Sequence, residues 1–213
     1  MTDTLIKNMT LISQNTLNGF GGIGEGVSMQ ITDNGRRIIW LAHEGAPKNF
    51  TGVDVTDPKN TKVVCQTELP HMKIRSNSLE VCDNVLAVAY QVYEKGLEPA
   101  GMELFDISNP EEPKSIGFYS TAGPHSRGMH CLWFVDGETV HCSSGALDFE
   151  PKHPRDDQFY QILDVRNPKR IEEVGRWWMP GIRVGDKEEA PERVNPEGGV
   201  DPMGSDSFRL HNV

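Results

Sequence analysis

Three places in this chain set an arginine two or three residues ahead of an asparagine or a histidine. They are Arg75-Ser76-Asn77, Arg127-Gly128-Met129-His130 and Arg209-Leu210-His211. Guanidinium forks clasp carboxylates and phosphates bidentately, so Arg75, Arg127 and Arg209 around one opening would hold an anion. Imidazoles ligate transition metals, so His130 and His211, with His125, His43 or Glu44 nearby, would hold a divalent transition metal ion. A third reading makes these side chains structural, bonding the backbone carbonyls of neighbouring elements. No H-E-x-x-H spacing, nucleophilic-serine motif, P-loop or CxxC pair occurs. Any site must therefore be assembled from distant parts of the chain.

The elements that could assemble it are announced by a turn that occurs three times. Residues 52–64 read GVDVTDPKNTKVV, residues 102–117 read MELFDISNPEEPKSIG and residues 160–175 read YQILDVRNPKRIEEVG. Proline cannot donate to a strand ladder, and Asp or Asn ahead of it bonds its own backbone, so each copy is strand, turn, strand. Asp54 and Asp106 are 52 residues apart, and Asp106 and Asp164 are 58 apart. The recurrence of these aspartates in every copy marks them as structural. Ahead of each turn lies a second strand pair: 27–31 with 37–42, 79–81 with 85–90, and 132–134 with 139–142. Their hairpin turns are Asp33-Asn34-Gly35, Asp83-Asn84 and Asp136-Gly137. Four antiparallel strands per repeat is the unit of a β-propeller blade.

The predicted fold is thus all-β: a propeller of three four-stranded blades plus the start of a fourth. The blades span 27–69, 77–121 and 130–179, a long Pro- and Gly-rich surface loop covers 180–206, and a fourth blade opens at 207–213. Residues 9–17 echo 61–69, the last strand of the first repeat, so 5–17 is expected to be a closing strand for a blade formed elsewhere. Rings hold some 4–8 blades, so the expectation is the N-terminal portion of a longer protein. The run at 19–26, GFGGIGEG, matches G-x-G-x-x-G. With no β-α unit around it, it reads as a flexible loop and not as a dinucleotide site.

The first strand of a propeller blade lines the central channel. Aligning the opening strands on Leu79, Leu132 and Val213 puts Asn77, His130 and His211 on one register, with the three arginines just ahead. A ring of polar side chains at the channel mouth follows.

Blades that open on His-x-aliphatic and close on an aliphatic-Asp-aliphatic turn ending in Pro resemble the LVIVD-repeat proteins, a bacterial and archaeal β-propeller family. The likeness runs over most of residues 9–213. It implies the fold but no particular reaction, and the family includes secreted and surface-anchored proteins. On this reading the chain is a binding or scaffold propeller whose partner is a small anionic or polar ligand or a protein. The alternative is a metal-assisted hydrolase or lyase acting at the channel mouth.

Composition sets outer limits. The formal charge of the 213-residue chain is −10 with no basic stripe, which argues against nucleic acid as partner. No apolar run is long enough to span a membrane and no signal segment opens the chain, which points to the cytoplasm. Cys65, Cys82, Cys131 and Cys142 are scattered and read as free thiols in or beside strands.

Overall fold

A computed structural model describes residues 8–192 and 207–213. Three antiparallel sheets account for its strands, and the described residues contain no α-helix. Blade 1 is β1 (Ile23–Ile31), β2 (Arg37–His43), β3 (Lys48–Asp54) and β4 (Lys62–Glu68), paired in that order. In blade 2 the inner strand is split into β5 (Ile74–Arg75) and β6 (Leu79–Cys82). Both parts pair with β7 (Val85–Val92), followed by β8 (Gly101–Asp106) and β9 (Lys114–Ser120). Blade 3 is β10 (Met129–Trp133), β11 (Thr139–Ser144), β12 (Phe159–Asp164) and β13 (Glu172–Trp177). These are propeller blades, as the repeat predicts.

The repeated turn owes its shape to one hydrogen-bond scheme used three times. Asp54, Asp106 and Asp164 each accept through Oδ1 from the backbone N–H two residues on, at 2.9, 2.9 and 3.1 Å. Asp57, Asn109 and Asn167, the residues before each proline, repeat the bond at 3.0, 3.3 and 3.1 Å. The residue after each leading Asp donates its N–H back to the β-hairpin of its own blade. Val55 reaches the Arg37 carbonyl, Ile107 that of Asn84 and Val165 that of Glu138. Two short polar side chains per turn thus stand in for a missing ladder.

Blades stack through apolar faces. Ile38, Trp40, Ala42 and Phe50 of blade 1 pack on Ile74, Leu79, Leu86, Val88 and Ile107 of blade 2, all essentially inaccessible to solvent. Ala87, Ala89, Met102 and Leu104, on the opposite face of blade 2, meet Met129, Leu132, Phe134 and Val140 of blade 3. The alternation of strand side chains is thus spent on two interfaces, not on core and solvent. Gly26 and Gly117 mark the closest approaches. A Cβ on Gly26 would run into the Leu79 backbone, and one on Gly117 into the Pro168 carbonyl of the next blade.

Several boundaries differ from expectation. Blade 1 begins at Ile23 and not at residue 27, so the supposed flexible loop at 19–26 feeds directly into the inner strand. Of the expected closing strand 5–17, residues 5–7 lie outside the described residues, and 8–16 form no strand. The segment instead runs beside blade 1, where Ser13 donates to the Pro58 carbonyl and Asn15 to the Thr61 carbonyl. Its Leu11 and Ile12 stay exposed. The part of the 180–206 loop that is described, up to 192, is packed and not loose. Ile182 is buried beside Phe149 and Phe159, and Asp186 gathers the indole N–H of Trp178 and the backbone N–H groups of Gly181 and Arg183. Residues 207–213 pair with no sheet but lie along blade 3, the Leu210 N–H donating to the Gln158 carbonyl. No helix among the described residues is long and apolar enough to cross a membrane.

Candidate functional site at the channel mouth

Each inner strand loses register near its start. In blade 1 the break lies between Ile23 and Val27, in blade 2 between Arg75 and Leu79, and in blade 3 between Met129 and Cys131. A bulge of this kind bends the strand and re-aims a side chain. The residues so released are Glu25, Asn77 and His130. His211 follows from the segment beside blade 3, held by the Ser143 hydroxyl donating to its carbonyl at 2.8 Å.

Three of the four converge. One ligand atom each from Glu25, His130 and His211 lie within 4.8 Å of one another. The two Nε2 atoms are 3.1 Å apart, and the Glu25 carboxylate oxygens lie 4.0 Å from each of them. The His130 ring is buried, while Glu25 and His211 are open to solvent.

The hydrogen bonds limit the proton positions. Arg75, which can only donate, gives Nε–H and an Nη–H to Gln91 Oε1 at 3.0 and 2.6 Å. That oxygen is therefore an acceptor. His130 Nδ1 lies 3.2 Å from it and 3.5 Å from Arg75 Nη2, so a proton on Nδ1 suits Gln91 and a lone pair there suits Arg75. His211 Nδ1 faces Asn212 Oδ1 at 2.8 Å and carries its proton towards it. With the His130 proton on Nδ1 both Nε2 atoms present lone pairs at 3.1 Å; with it on Nε2 the two rings share a hydrogen bond. Burial, the neighbouring His211 and Arg75 together push the His130 imidazole down to about 4, so it is neutral at physiological pH.

A tetrahedral ion with bonds of about 2.0–2.1 Å spaces its donors about 3.3 Å apart, and two histidines with one carboxylate is a familiar zinc donor set. Nε2 lone pairs oriented by a proton on the other ring nitrogen are how ligating histidines are held. Three donors leave a fourth position for water or a ligand.

The other expected site residues are placed differently. Asn77 is wholly buried, with neither side-chain atom hydrogen-bonded; its carbonyl accepts from the Glu25 and Gly26 N–H groups and so ties blade 1 to the site. Arg127 and Arg209 both turn to the buried Asp157, Arg127 Nε at 3.1 Å from Oδ2 and Arg209 Nε at 2.8 Å from Oδ1. Arg75 pairs with Glu44 as well as with Gln91. The three forks are thus occupied by side chains of the protein, not aimed at a common centre. His125 stands 3.8 Å from Glu150, apart from the His130–His211 pair. His43, also weighed as a ligand, is buried, with Nδ1 2.9 Å from the Gly22 carbonyl and Nε2 2.7 Å from Thr51 Oγ1.

Glu25 escaped the sequence reading because glycines flank it. Gly24 and Gly26 are there for close approach of blade 2: a Cβ on Gly24 would lie 2.9 Å from the Asn77 carbonyl, and one on Gly26 would strike Leu79. The repeat contained the missing signal. Glu25 precedes Asn77 by 52 residues, the same interval as Asp54 to Asp106.

No family model and no curated protein matches the sequence. Among solved structures, the N-terminal domain of Nup159 is similar over 66% of this chain and 28% of its own length, with 11% identity and a TM-score of 0.35. The chain thus spans less than a third of that structure, and a likeness so distant adds nothing to the reading of the site.

Proposed function

We propose that this chain is part of an LVIVD-repeat type binding propeller whose channel mouth takes a divalent transition metal ion through Glu25, His130 and His211. A propeller fold suits a binding or scaffold role. The observation that carries the finer reading is the convergence of three donors: two Nε2 atoms 3.1 Å apart with the Glu25 carboxylate oxygens 4.0 Å from them. With both imidazole protons on the far ring nitrogens, the two Nε2 lone pairs and the carboxylate would share one cation. Borderline N/O donors favour zinc, cobalt or nickel over magnesium or calcium.

The open fourth position also supports the alternative, metal-assisted hydrolysis, in which the ion lowers the pKa of bound water and activates it. The LVIVD assignment rests on the repeated turn and on the histidine-led opening of blade 3.

The test is metal titration of the 213-residue chain with cobalt(II), read by its visible absorption, and with zinc, read by metal content after dialysis. One ion per chain is expected, with four-coordinate cobalt absorption. His130→Ala, His211→Ala and Glu25→Gln should each lower affinity at least ten-fold. Retention of no metal, or unchanged binding in the two histidine variants, overturns the proposal.

A further inference from the structure

A second site lies away from the channel mouth, in the outer part of the blade 1–blade 2 interface. A cavity of about 440 Å³ opens there between the start of β3 and strands β7, β8 and β9. That is within the size range of small-molecule sites. Its walls are apolar and aromatic, with Tyr90, Phe105 and Phe118 the main contributors. Two carboxylates, Glu68 and Glu103, stand among its polar groups, with Asn49, Thr67 and Tyr90.

One hydrogen-bond chain links three of them. The Tyr90 hydroxyl donates to Glu103 Oε2 at 2.7 Å, since a carboxylate can only accept. The same hydroxyl must then accept from Asn49 Nδ2, 2.8 Å away. That fixes the Asn49 amide and leaves its Oδ1 turned elsewhere. Asn49 is 4% exposed, lines the cavity, and its Oδ1 has no hydrogen-bond partner. A buried carbonyl oxygen without a donor is rare in folded proteins.

The charges agree. Glu68 and Glu103 both line the cavity. Glu68 is matched by Lys48 at 3.0 Å. Glu103 receives two hydroxyl protons, from Tyr90 and from Ser115 at 2.5 Å, but among the described residues no cation lies within ion-pair distance. The cavity therefore offers one carboxylate without a partner cation among the described residues, together with aromatic rings.

We propose that this cleft binds an organic cation: a primary ammonium group carried on an apolar body. The ammonium pairs with Glu103, whose partner Tyr90 is held in place by Asn49, and the apolar body lies against Tyr90 and Phe118, where a cation also gains from the ring faces. The site is independent of the metal proposal, because no residue is shared.

The experiment is calorimetric titration of the 213-residue chain with benzylammonium, and in parallel with benzyl alcohol, its neutral counterpart of the same shape. Nα-acetyl-lysine methylamide forms a third arm, separating a protein side chain from a free amine by which binds tighter. Benzylammonium is expected to bind at least ten-fold tighter than the alcohol. Glu103→Gln, which keeps an acceptor for Tyr90, and Asn49→Ala should each weaken it ten-fold or more, with folding checked by thermal melts. His130→Ala, which disables the metal site, should leave it unchanged. Equal binding of alcohol and amine, no binding of either ammonium at millimolar concentration, or an unaffected Glu103→Gln protein overturns the proposal.

Discussion

His130 shows how much one side chain can be made to do by its neighbours. Its ring is buried, its Nδ1 lies 3.2 Å from Gln91 Oε1, and Arg75 fixes the orientation of that Gln91 amide. Desolvation and the nearby His211 and Arg75 push its pKa from 6.5 down to about 4. The native state therefore resists the proton that the unfolded chain accepts. As pH falls below 6.5 the unfolded state binds more protons than the native one, so stability falls until about pH 4, where both are charged. Thermal melts should show a midpoint that drops across this window in the parent protein and drops less in His130→Gln. A metal would steepen the dependence, since protons compete for the same Nε2. At this scale the sequence was half legible. His130 and His211 could be paired by aligning their strands, whereas Glu25 was hidden by flanking glycines whose purpose, close backbone contact, is only visible in three dimensions. The arginines misled for a related reason: spacing put them near the mouth, but only the fold shows that Asp157 takes two of them.

At the scale of strands and turns, legibility was high because the rule is local. An Asx residue bonding the N–H two positions on, ahead of a proline, needs no distant partner, and all three copies obey it. What local rules could not supply was how blades touch. Gly117, in β9, lies against the Pro168 carbonyl in the repeated turn of blade 3, so the tip of one blade's turn rests on the face of its neighbour. Gly117→Ala should force the two apart and cost about 1–3 kcal/mol, the usual penalty of overpacking. Chemical denaturation should show this, while Gly35→Ala, where nothing lies within 4 Å but φ is +83°, isolates the effect of backbone strain alone. If Gly117→Ala is as stable as the parent, the contact between blades 2 and 3 is looser than described. The segment 8–16 has the pattern of a strand but is held beside blade 1 by the side chains of Ser13 and Asn15 and not by a ladder.

At the scale of the molecule, two interfaces are filled among the described residues and two faces are left outward. The free face of blade 1 shows Val27, Met29 and Ile31 at 56%, 53% and 65% exposure, and that of blade 3 shows Trp133, Val174 and Trp177 at 50–59%. These positions alternate with the buried ones, as the blade–blade faces do. Large exposed apolar patches mark surfaces that meet something. The 213-residue chain should accordingly self-associate with rising concentration. Val27→Thr, Met29→Lys and Ile31→Thr together should shift sedimentation towards the monomer. Each change alone should move stability by no more than about 0.5 kcal/mol, as is usual for surface positions. Concentration-independent sedimentation of the parent would refute this.

The displaced residue at the head of each inner strand has a wider implication. Glu25, Asn77 and His130 come from breaks in three separate inner strands, whose ladders close without them, and His211 comes from the segment beside blade 3. The chemistry of the opening can thus be rewritten one spoke at a time, by a single codon, while the architecture that presents it goes on untouched. Proteins of this plan could share a common frame and yet diverge widely in what they hold.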